Sequence, residues 1–148
     1  MARDSFTCSE LTAWADKLAK LPKGCDKSVK KLLRDQGTKL RRRTVQRARA
    51  EVGKRAVKRK DYTRAAGTYH KSIKRGKVFA KDGVYKVRVY SNDAVAHLME
   101  YGWRPKLRDK SRGQYQVGKK VFDKAFDDFK PGFEEALDDM LDEEIKKL

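Results

Sequence analysis

The chain has 148 residues, which fits one domain able to bury roughly 68–70% of the surface its unfolded form exposes. Charged residues make up 40% of it and hydrophobic residues 39%, so the apolar side chains must be gathered on particular faces, and a net charge of +17 favours an anionic partner. No stretch approaches the roughly 18 apolar residues of a membrane helix, and the N-terminus lacks a basic flank before an apolar run, so the sequence reads as a protein made and kept in the cytoplasm with no membrane partner.

Thr7 and Glu10 have the spacing of a capping box, and Leu11, Trp14, Leu18 and Leu21 follow as one apolar stripe, predicting a first helix that Pro22 and Gly24 end. Asp26 is placed to cap a second helix, with Val29, Leu32, Leu33, Leu40, Val45, Ala48, Val52 and Ala56 on its apolar side, continuing as far as Arg59. At that extent it would be on the order of 50 Å long against a compact diameter of roughly 38 Å. It should therefore protrude or break, with Gly37 and Gly53 as weak points.

From Tyr69 the pattern becomes alternating, and Asp82-Gly83 between two such runs predicts a β-hairpin over about 69–90. Asn92 or Asp93 can cap a short helix through Met99, with Gly102 as its left-handed terminal residue. Residues 103–118 read as an exposed basic loop with a short strand near Tyr115 and Val117. The last helix, Lys119 to about Lys147, should kink or restart where Pro131 interrupts it.

These elements describe an α+β fold in a single domain. Residues 1–60 are helical, 62–102 supply a small antiparallel sheet and a short helix, 103–118 form the basic loop, and 119–148 form the long C-terminal helix.

Chemistry is sparse along this chain. Cys8 and Cys25 lack CxxC spacing and are read as reduced packing residues. His70, in the predicted strand, and His97, in the short helix, have no metal-ligand spacing, and His97 is read as packed or hydrogen-bonded. The pairs Asp127-Asp128, Glu134-Glu135, Asp138-Asp139 and Glu143-Glu144 are expected on the outer face of the last helix as solvation. Glycine-rich phosphate loops are absent, so neither an enzyme nor a cofactor is expected.

Charge is segregated: residues 17–60 carry 18 basic and 3 acidic side chains, whereas residues 120–148 carry 5 and 10. A basic face at Arg41, Arg42, Arg43, Arg47 and Arg49 could meet the acidic terminal helix of a neighbouring copy. It could instead neutralise phosphates of a duplex, which makes a basic cytoplasmic nucleic-acid-binding protein the rival reading. Stacking aromatics before Tyr62 are missing, which argues against single-strand recognition.

The segment Ala96-His97-Leu98-Met99-Glu100-Tyr101-Gly102 resembles the Ala-His-Leu-x-Glu-x-Gly segment of tailed-bacteriophage neck and tail-component proteins, the tail-completion and head–tail joining group. Gly67-Thr68-Tyr69-His70-Lys71-Ser72-Ile73 resembles the family's turn and first strand, with Gly-Thr in place of Thr-Gly. Gly118-Lys119-Lys120-Val121-Phe122 and the acidic helix after it are similar as well.

The resemblance covers roughly residues 62 to 148, together with a helical N-terminal part whose sequence is not diagnostic. It implies a non-enzymatic virion protein assembled in the bacterial host cytoplasm, in a ring that joins or terminates the tail. Six copies are preferred and twelve are the alternative; the partners are other neck, head-closure, tail-tube or sheath proteins, with a non-specific DNA contact allowed. Phage-derived contractile particles use similar parts. Trp103, Arg104, Lys106, Arg108, Lys110, Arg112 and Tyr115 are then expected to form an assembly-contact loop anchored by its two aromatics.

Overall fold

In a computed structural model, residues 25–107 and 111–147 are described. The predicted first helix, Cys8, Arg108 and Lys110 lie outside those residues. The fold is α+β: the described residues form two long helices, two short ones and four two-stranded antiparallel ladders.

Helix α1 spans Asp26–Glu51. Cys25, already helical at φ −74° and ψ −12°, stands at its N-cap position, so Asp26 lies inside the first turn. There its charge complements the helix dipole but does not cap, as the sequence had suggested. The helix ends at Glu51, not Arg59, because Val52 turns extended (φ −115°, ψ 121°) just before Gly53.

The residues beyond form a hairpin, β1 (Val57–Arg59) against β2 (Tyr62–Arg64). Arg64 reaches Asp93 through both guanidinium nitrogens, Nη1 donating to Oδ1 at 2.8 Å, and this ties the hairpin to the body. Burial pushes the Asp93 carboxyl up, but hydrogen bonds from Arg64 and the Val95 amide outweigh it and hold the group below the usual carboxylate range. Gly37 is no weak point. It is buried in α1, and a Cβ there would lie 3.0 Å from Arg75 Cδ and 3.1 Å from Val87 Cγ2, so its lack of a side chain lets the sheet approach the helix.

The main hairpin starts later than alternation suggested, because a short helix α2 (Thr68–Ser72) precedes it. Strand β3 (Ile73–Arg75) then pairs with β6 (Val89–Ser91), and β4 (Phe79–Lys81) with β5 (Val84–Lys86). Gly76 N donates to Arg88 O at 2.8 Å between the two ladders. At the tip Asp82 and Gly83 have φ of 55° and 75°, the pair of positive angles that a two-residue turn of this type requires.

Asp93 does not cap helix α3 (Ala96–Tyr101) directly; its Oδ1 accepts from Val95 N in the turn before it. The predicted loop is an irregular hairpin. Strand β7 (Gly102–Trp103) pairs with β8 (Gln116–Val117), and Lys106 bridges Arg112.

Helix α4 runs unbroken over Val121–Lys146. Pro131 sits inside it without the predicted restart. Proline takes the amide donor from the carbonyl of Asp127, one turn back, and the next carbonyl, Asp128 O, accepts from Arg43 Nη1 at 2.7 Å. A side chain from α1 thus ties this turn to the neighbouring helix.

Helices α1 and α4 lie antiparallel, as three sets of contacts establish. Cys25 and Ser28 meet Glu144 at one end, Arg47 meets Asp128, and Lys124 meets Glu51 at 2.8 Å near the other. Of the acidic pairs expected to point outward, Asp128 and Glu144 therefore face α1. Ala48, Val52, Tyr69, Ile73 and Val121 form the core where α1, α2, β3 and the start of α4 converge.

Hydrogen bonds from Lys147, Ser28 and Cys25 bring the Glu144 carboxyl down from 4.5 to about 2. Its contribution to stability is complete above the unfolded value near 4.5 and is lost as pH falls through about 2. Glu144→Gln should melt below wild type at neutral pH, with the gap closing as pH falls through that interval; thermal melts across pH check this.

Candidate functional site

The segment from Ala96 to Gly102 builds the start of the C-terminal helix. Helix α4 has no cap of its own, since Lys120 precedes it in a left-handed conformation at φ 49° and ψ 48°. Glu100, 6% exposed, supplies the missing acceptors: Oε2 takes the amide of Phe122 and Oε1 that of Asp123, both at 3.1 Å. Its backbone carbonyl accepts from Lys120 N, and the carbonyl of Met99 accepts from Lys119 N at 2.6 Å. One residue thus satisfies orphan donors that a helix N-terminus otherwise leaves open, at a site where negative charge also suits the dipole.

Two glycines make the approach possible. A Cβ on Gly118 would lie 2.2 Å from Glu100 O, and one on Gly102, whose φ is 90°, would lie 2.3 Å from Gln116 O. Gly102 has the predicted positive φ, but its ψ of 174° leads into β7 instead of closing a helical cap.

The earlier motif, Gly67 to Ile73, lies beside this arrangement. Gly67 takes a left-handed conformation at the N-cap of α2, and Ser72 Oγ meets both Tyr69 O and Ser91 Oγ at 2.5 Å. His70 is the packed histidine, 6% exposed, and it is helical, not in a strand. Its Nε2 lies 3.1 Å from Ala48 O and 2.9 Å from Val52 O. Carbonyls only accept, so the proton of the neutral ring belongs on Nε2. His97 is exposed, contrary to the packed role expected of it, because it lies on the solvent side of α3. Leu98 is half-buried.

Two clefts flank Gly67 and His70. The first, of about 450 Å³, is bordered by Arg41, Arg42, Arg49, Lys54 and Lys71, and no acidic side chain among the described residues lines it. The second, of about 510 Å³, has an apolar wall of Val52, Tyr69, Met99 and Trp103. Burial, then the charges of Glu100 and Asp93, push the Tyr69 hydroxyl up to about 12, so it is a neutral donor.

The five arginines of the predicted basic face divide between two roles. Arg41 Nε donates to Ile73 O at 3.0 Å, Arg43 to the Asp128 carbonyl, and Arg47 to the Asp128 carboxylate. Those three are held within the chain. Arg42 and Arg49 stay exposed at the first cleft.

Of the expected contact loop, Arg104, Lys106 and Arg112 are exposed, whereas Trp103 is half-buried against the second cleft. Tyr115 is 47% exposed and donates its hydroxyl hydrogen bond to Tyr101 O. Tyr101 and Val117 stand out beside it at 70% and 73% exposure, an apolar addition that the sequence reading missed. Among the described residues no group of His, Cys, Asp and Glu is arranged to hold a metal ion, and no helix is long and apolar enough to cross a membrane.

Comparison with protein-family models matches residues 13–102 to HK97-gp10_like, the bacteriophage HK97-gp10 tail-component family. The match covers well over half of the chain and contains both motifs, from Gly67 and from Ala96; the β7–β8 hairpin and α4 follow it. Comparisons with curated proteins and with solved structures return no match.

The cap geometry makes a prediction. Glu100→Ala should cost about 1–2 kcal/mol, the upper range for loss of a helix cap, and should strip hydrogen-exchange protection from the amides of Phe122 and Asp123 first. Denaturant melts and amide exchange measure the two effects separately.

Proposed function

This chain belongs to the HK97-gp10-like family of phage tail components, and from that premise we propose that it acts as a single-domain structural protein of the virion. It forms a ring at the head-proximal end of a phage or phage-like tail, where it joins or terminates the tail. The family match carries the reading. Support comes from the division of the surface. Opposite charges stand on different helices, a basic hairpin carries Arg104, Lys106 and Arg112, and exposed Tyr101, Tyr115 and Val117 offer apolar contacts beside it. Aromatic anchors ringed by charge suit protein interfaces, where the rings supply most of the energy and the charges orient.

The basic cleft at Arg42 and Arg49 favours a second reading, a sequence-independent duplex contact. Particle composition separates the two. Mass spectrometry of purified particles should find the chain in several copies, and host cells lacking it should accumulate unjoined heads or incomplete tails. Its absence from particles, together with duplex binding that falls steeply with salt, would favour the second reading.

Reversing the exposed hairpin charges with Arg104→Glu, Lys106→Glu and Arg112→Glu should leave the melting temperature nearly unchanged, because exposed charges contribute little to stability. Incorporation into particles should fall, and quantifying the chain per particle measures it.

A further inference from the structure

The antiparallel helices use their facing sides for each other and leave two opposite outer sides carrying opposite charge. At 100° per residue, Lys31, Arg42 and Arg49 fall on the side of α1 turned away from Arg47 and Glu51, the residues that reach α4, with Lys39 at the edge of that side. All four are exposed, and Asp35 is the acid among them. On α4, Asp123, Asp127, Glu134 and Asp138 line the side opposite buried Val121, Ala125 and Phe129, and all four are exposed. Lys130 touches Glu134 at 3.8 Å. At 1.5 Å per residue the stripe from Lys31 to Arg49 runs about 27 Å and that from Asp123 to Asp138 about 23 Å, so the two are comparable in length.

We propose that the cationic outer stripe of α1, widened by Lys54 and Lys71 at the adjoining cleft, docks the acidic outer stripe of α4 from a second copy of this chain. The contact joins two different patches, so one copy keeps its acidic patch free and the other its basic patch, and the series extends head to tail until it closes. Complementary length and charge favour this occupant over a nucleic acid, which would leave the acidic stripe unpartnered and repelled by the same polyanion. The pairing specifies the contact inside the ring of the proposed function and rests on that reading only for its place in the particle.

The test is sedimentation of the purified full chain at about 50 mM and about 500 mM salt, since contacts between exposed charges weaken as screening lengths shorten. Two reversed variants accompany it, Arg42→Glu with Arg49→Glu, and Asp127→Lys with Asp138→Lys, each checked for wild-type circular dichroism. Wild type should self-associate at low salt and weaken more than about tenfold at high salt. Each variant alone should stay monomeric, and mixing the two should restore association, because the reversed patches then match each other.

A wild-type chain monomeric at low salt overturns the pairing. So do variants that associate like wild type, a mixture of folded variants that stays monomeric, or a monomer that binds duplex DNA through Arg42 and Arg49. These results leave the tail assignment standing, since particle composition decides that separately.

Discussion

The carboxylate of Glu100 fixes how the two halves of the molecule meet. It sits at the end of a six-residue helix, is almost wholly buried, and receives the first free amides of a 26-residue helix that could not otherwise start where it does. From that junction α4 is aimed back along α1, Val121 enters the core beside Ala48 and Ile73, and Glu144 arrives at Cys25 and Ser28. Gly102 and Gly118 belong to the same constraint, since any side chain at either would push the carboxylate off the helix end. The family segment is thus explained by physics without invoking a partner: it is the joint of the fold.

Electrostatics inside the chain consumes part of what composition displays. The basic stretch around Arg43 and Arg47 had looked like a surface for another molecule, yet the same chain's Asp128 holds both guanidinium groups, one through its carbonyl and one through its carboxylate. Glu51 answers Lys124 in the same way and is held below the usual carboxylate range, chiefly by that hydrogen bond. What remains for other molecules is the complement of these pairs, on faces set by helical phase and not by total charge.

Sequence reasoning read the fold class, both long helices and the Asp82-Gly83 turn, because each rests on local periodicity or backbone chemistry. It overextended α1 because the run from Lys54 to Lys60 has no strong helix breaker after Gly53, while the contact that secures a hairpin there, Arg64 to Asp93, spans 29 residues. The Pro131 break failed for a similar reason. The turn around Pro131 is held to α1 by Arg43, 85 residues upstream of the Asp128 carbonyl that it bonds. Glu100 was singled out by resemblance alone; its capping role depends on a close approach that only Gly118 allows and that no pattern within the segment encodes. His70 lies in a five-residue helix where alternation had predicted the start of a strand, and it is buried there, whereas His97, expected to be packed or hydrogen-bonded, is exposed.

The wide separation of the paired helices also governs the order in which the molecule can form during synthesis. Arg47 and Asp128 lie 81 residues apart, and Ser28 and Glu144 lie 116 apart. At roughly 5–20 residues per second, the ribosome releases α1 several seconds before the acidic helix that neutralises it. Until then the nascent chain carries the basic stretch around Arg43 and Arg47 without the Asp128 groups that hold it in the finished fold. Emergence of the C-terminal helix is therefore the step that closes the fold from both ends at once, bringing Asp128 to Arg47 and Glu144 to Ser28.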